Sequence, residues 1–71
     1  MSFFRSPVVQ HQVDQLTDRY TQNGESKIDA LHSADKHLDT KLVEGPLVIL
    51  FHEMKKEIKI RLEEYETYKN I

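Results

Sequence analysis

Gly45-Pro46-Leu47-Val48-Ile49-Leu50-Phe51 is the stretch on which the fold turns. A glycine and a proline interrupt what is otherwise one long amphipathic pattern, and the most apolar run of the chain starts directly after them. Proline lacks the N–H that a helix interior needs, and its ring clashes with the carbonyl four residues back, at a cost of ~3 kcal/mol. Glycine loosens the backbone at the same point. The pair reads as a turn folding a third helix back on a second. A kink in one long helix is the alternative.

Upstream of the turn, the pattern predicts two helices. Ser6-Pro7 reads as a start, with serine as N-cap and proline at the first helical position. Val9, Val13, Leu16 and Tyr20 then recur at spacings of four, three and four, which is one apolar stripe on a helix. Asn23-Gly24 ends it, because glycine tolerates the left-handed cap conformation, so the first helix covers about 7–22. Ser26 opens the second, with Asp29 three positions on as a weak capping box. Ile28, Leu31, Leu38 and Leu42 form its stripe, Ala34 and Asp35 fill the missing turn, and Ala30 and Ala34 allow close approach of a neighbour. This helix runs to about Glu44.

Downstream, a third helix is expected from Pro46 to about Lys69. Leu47, Phe51, Met54, Ile58 and Tyr65 follow a heptad-like seam, broken by Arg61 and closed by Tyr68. Ile49 and Ile60 lie off the seam and widen the apolar face, so this helix should be covered on more than one side. Phe51 is expected to anchor the core, its truncation costing about 3–5 kcal/mol. Glu57–Arg61 and Lys59–Glu63 are spaced i,i+4 and predict an exposed polar flank. A strand is the competing reading of Ile58, Ile60 and Leu62. No turn residue interrupts His52–Lys56, however, and the alternation fails at Tyr65.

The chain has 71 residues and no cysteine, which excludes disulfide staples and thiolate metal sites. A chain this short buries a small fraction of its surface, so regular helix packing combined with oligomerisation is the expected route to stability. The formal charge of −2 carries no electrostatic footprint for nucleic acid. No apolar run approaches the ~20 residues of a membrane span, and Met1–Arg5 lacks the apolar core of a signal peptide. A complete, small cytoplasmic protein is expected, with a tail at 1–6 and a single helical domain at 7–71.

The histidines are the tempting chemistry. His11-x-x-Asp14 and His32-x-x-Asp35 each place two polar groups on one helix face, as two-helix metal sites do. A metal centre needs convergent ligands with a supporting shell, and solvated helix faces account for both pairs. No Gly-rich phosphate loop is present, and Ser26 and Ser33 beside His32 lack an evident orienting group. No catalytic, cofactor or metal residues are assigned. Lys55, Lys56, Lys59 and Arg61 interleave with Glu53, Glu57, Glu63 and Glu64, the pattern of a salt-bridged, solvated helix face. Phe3 and Phe4 in the tail suit docking onto an apolar surface, the chain's own or a partner's.

Asn23 to Val43 resembles the YvfG-like group of small helical proteins from bacilli. Lys27-Ile28, Ala30, Ser33 and Leu42-Val43 carry the resemblance, together with a Met1-Ser2 start leading to a proline-marked first helix. Gly45-Pro46 lies outside that pattern. The resemblance implies a small, bacterial, self-associating α-helical protein, and it transfers no functional residue.

The expectation is therefore an all-α, three-helix unit, a helical hairpin plus an N-terminal helix, associating into a helical-bundle homodimer. Leu47, Leu50, Phe51, Met54, Ile58, Leu62 and Tyr65 are the expected interface for self-association or a partner, with tail docking at Phe3 and Phe4. The expected function is a non-catalytic protein-interaction module that binds or regulates another protein. The alternative is a small DNA-binding transcriptional regulator with the third helix in the groove, recognised by a steep salt dependence of binding.

Overall fold

Pro7 opens α1 (Pro7–Gln22) in the computed structural model, which describes residues 5–41 and 45–69. The expected serine side-chain cap is not made. Ser6 sits at φ −59°, ψ 125°, the extended backbone that a following proline imposes, and only its carbonyl engages the helix, accepting from the Gln10 N–H at 3.0 Å. The far end closes as the sequence predicts. Gly24 takes φ +98°, the Glu25 N–H reaches the Tyr20 carbonyl at 3.1 Å and the Gly24 N–H reaches that of Thr21 at 3.0 Å. Those two bonds are the Schellman closure, which satisfies carbonyls the helix leaves without partners.

Ser26 does cap the second helix, α2 (Lys27–Lys41), its Oγ accepting from the Asp29 N–H at 3.2 Å. The Ser33 hydroxyl donates to Glu25 at 2.6 Å and ties the α1–α2 link to the helix that follows. The third helix, α3, covers Val48–Lys69. It starts later than Pro46 because the Val48 N–H closes a turn on the Gly45 carbonyl at 3.2 Å, and the first helical bond runs from the Phe51 N–H to Leu47. The expectations placed on Leu42, Val43 and Glu44, on Phe3 and Phe4, and on the Tyr68 side chain lie outside the described residues.

The three helices all pack against one another, and there is no strand among the described residues. Lys55 of α3 meets Asp35 and Asp39 of α2, while His32, a turn earlier in α2, lines the same groove as Leu62, further along α3. The two helices are thus antiparallel, and Gly45-Pro46 is a turn rather than a kink. α1 lies across this hairpin. One flank of it, including Gln12 and Leu16, faces Leu50 and Met54 early in α3, while the other, including Asp14 and Thr17, faces Arg61 and Tyr65 late in α3. The Cα envelope of 41 × 37 × 17 Å is that of two helical layers.

Val13, Leu31, Ala34, Leu38, Met54 and Ile58 are buried where the layers cross, with Val9, Leu16 and Tyr20 of the predicted α1 stripe packed around them. Ala30 and Ala34 are fully buried, so the small residues do sit where helices approach. Phe51 is only half-buried, against the expectation of a central anchor. The core is centred further along α3, on Met54 and Ile58, because α1 crosses there.

Candidate interaction surface

The start of α3 carries more apolar surface than the chain covers. Leu47 is 55% exposed and Ile49 is 73% exposed. Leu50 and Phe51 beside them are half-buried against the core. An intrachain hairpin covers one side of a helix, whereas Leu47–Phe51 is apolar all round its first turn, so part of it must face solvent. Val8, at the start of α1, is likewise exposed.

The other residues of the expected interface are placed differently. Met54 and Ile58 are buried in the chain's own core, and Leu62 and Tyr65 pack partly against it. The surface left open to a second chain is therefore concentrated at Leu47 and Ile49, with the half-exposed parts of Leu50 and Phe51.

Away from this apolar patch, an ion network joins the chain before α1 to α3. Glu57 is buried, at 3% exposure, which corrects the expectation that Glu57–Arg61 lies on an exposed flank. Arg5 grips it with two donors, Nε at 2.9 Å from Oε1 and Nη2 on Oε2. From the other side, Arg61 Nε donates to Oε2 at 2.7 Å. Arg61 continues to Asp14 of α1 at 2.6 Å and to the Gln10 carbonyl at 3.3 Å, and Arg5 reaches Glu64 at 3.0 Å. Burial pushes the Glu57 carboxyl up, and the hydrogen bonds and charges of the two guanidiniums more than reverse this, holding it below its ordinary value. Arg5 is raised by its hydrogen bond to Glu57 above all. Among the described residues no buried side-chain nitrogen or oxygen lacks a partner, the condition under which a buried charge is tolerated.

Sequence reasoning missed this network because the i,i+4 rule describes one helix in isolation. The signal available was Arg61 itself, a charge interrupting an apolar seam. Lys55 behaves similarly: instead of a neighbour on its own helix it takes Asp39 and Asp35 of α2, and the bond to Asp39 raises its pKa most.

In both histidine pairs the aspartate is engaged by one of these cations. Asp14 belongs to Arg61 and Asp35 to Lys55, while the exposed His11 ring lies 3.1 Å from the Gln15 amide. No group of three or more histidine or carboxylate side chains suited to a metal forms among the described residues. Nor is any helix among them long and apolar enough to cross a membrane.

No protein-family model matches the chain, and no curated protein and no solved structure shows significant similarity to it.

Proposed function

We propose that this chain is a small non-catalytic interaction module that pairs with a second copy of itself through the first turns of α3 and uses the paired body to bind or regulate another protein. The observation that supports the reading is the exposure of Leu47 and Ile49 in the most apolar stretch of the chain. Two copies related by a two-fold axis would each offer this same patch, the self-complementary arrangement most homodimers use. Association also stabilises a chain too short to bury much surface alone. In this reading the protein works in the cytoplasm of a bacterium, the bacterial source being what the resemblance of Asn23–Val43 to the YvfG-like proteins implies.

Cation usage favours this over the DNA-binding reading. Arg61 and Lys55 of α3 are already held by carboxylates of all three helices, which leaves less positive charge for phosphates.

Sedimentation equilibrium at micromolar concentration tests the proposal. The expected result is a reversible dimer that Leu47→Ser with Ile49→Ser converts to a monomer of unchanged helicity. A well-folded wild-type monomer at every concentration overturns it. Affinity capture with the wild type, using the double variant as control, then reports the partner.

A further inference from the structure

Leu16 of α1, Leu38 of α2, and Phe51 and Met54 of α3 form the floor of a cleft of about 200 Å³ between the three helices. Leu38 and Met54 are buried beneath it, and Leu16 and Phe51 are half-exposed at its sides. Its rim carries Arg19, His37 and Lys41 and, among the described residues, no carboxylate, in a chain whose acidic residues outnumber its basic ones by 12 to 10. Four cations of the described molecule, Arg5, Lys55, Lys56 and Arg61, pair with aspartate or glutamate, while Lys27, Lys36 and Lys59, like the two at this rim, have no such partner among the described residues. Arg19 and Lys41 make no ion pair among the described residues, where the network cations Arg5, Lys55 and Arg61 each make two.

Both cations stand in the last turn of their helices, where they complement the helix dipole. That explains a positive charge at each end. It does not explain why both line one apolar cleft together with an imidazole and the amides of Gln12 and Gln15.

From this we infer that the cleft binds a short aliphatic carboxylate, its chain on Leu16, Leu38 and Phe51 and its head group among Arg19, Lys41 and His37. An apolar floor with a few convergent polar groups is the general form of a small-molecule site. The cleft is smaller than the ~300 Å³ at which drug-sized pockets begin, which suits a medium-length chain rather than a whole lipid. The guanidinium and ammonium supply the charge-assisted hydrogen bonds that a carboxylate takes and an alcohol does not. Leu50 and Phe51 border both the cleft and the proposed dimer patch, whereas Leu47 and Ile49 do not line the cleft, so the titration is repeated in the Leu47→Ser, Ile49→Ser variant to separate the two sites.

The experiment is an amide-resolved NMR titration of the full chain with octanoate, hexanoate and 1-octanol. Octanoate is expected to shift the amides around Leu16, Leu38 and Phe51 saturably. Hexanoate should bind about tenfold more weakly, from two fewer buried methylenes, and 1-octanol at least several-fold more weakly than octanoate. Arg19→Gln with Lys41→Gln, both at exposed positions, should keep the folded spectrum and remove the preference for octanoate over octanol. Equal binding of the acid and the alcohol, shifts centred elsewhere, or an unchanged preference in the double variant would each overturn the inference. So would preference for an acidic, phenylalanine-bearing peptide with no saturable octanoate binding, which would make the cleft a peptide site.

Discussion

At the residue scale, two side chains of α3 exchange the roles their positions suggest. Phe51 heads the apolar run yet is only partly buried, while Ile58 is 1% exposed. Ile58→Ala should therefore cost the more, about 2–5 kcal/mol, against about 2 kcal/mol for Phe51→Ala, below the range for a fully buried phenylalanine. Lys56, its side chain 71% exposed, should change stability by less than ~0.5 kcal/mol when replaced by alanine. Urea titration of the three variants checks the ranking, and equal losses for Ile58 and Phe51 would move the core. Glu57→Ala leaves Arg5 and Arg61 without their shared carboxylate. Both guanidiniums still reach water, so the cost is expected at about 2–3 kcal/mol rather than the full penalty of a broken buried pair. The sequence made the hydrophobic side of this account legible, since periodicity marks which residues of a helix turn inward. It hid the polar side, because Arg5 and Glu57 are brought together only by the crossing of α1 over α3.

At the scale of elements, the turns carry the specificity. Gly24 stands at φ +98° with nothing within 4 Å of where a Cβ would be. Gly24→Ala therefore meets no clash, and its expected loss of about 1–2 kcal/mol is purely conformational. In a domain of this size that lowers the melting temperature by roughly 4–8 °C per kcal/mol, and Gly24→Asn should lose clearly less. At the second turn, alanine at both Gly45 and Pro46 removes the breaker that keeps α2 and α3 apart. A continuous helix cannot fold Lys55 back onto Asp35 and Asp39, so the variant should be more helical, more elongated and obligately oligomeric. Small-angle scattering and sedimentation check this; an unchanged radius would show that the hairpin closes without its turn residues.

For the whole molecule, the ion network gives stability an acid limit. Glu57 is held below its ordinary value near 4.5, so the folded state binds fewer protons than the unfolded chain between the two values. Its contribution is complete above the ordinary value and is lost as the pH falls through the folded one. Thermal melts from about pH 7 to about pH 3 should show a steeper loss for the wild type than for Glu57→Gln, whose amide does not titrate. Parallel curves would mean that the other carboxylates carry the acid sensitivity. Lys55 acts with the opposite sign. It is raised above its ordinary 10.5, so its hold on α2 is complete below that value and weakens as the pH rises through the folded one.

The sequence by itself determined the local structure: three helices, the first with its bounds at Pro7–Gln22, the capping of α2 by Ser26, the glycine closure of α1 and the break at Gly45-Pro46, which the packing of α3 on α2 then resolved as a turn. These depend on neighbours within a few positions, which periodicity and turn chemistry report directly. Tertiary structure alone decided how the helices meet. It set α1 across the hairpin, moved the core from Phe51 to Met54 and Ile58, buried Glu57 between arginines 52 positions apart in one case and four in the other, and left Leu47 and Ile49 uncovered. The physical reason is that an α3 apolar nearly all round specifies no single inward face. The face is chosen by where α1 lands, and that depends on charges whose partners are distant in the chain.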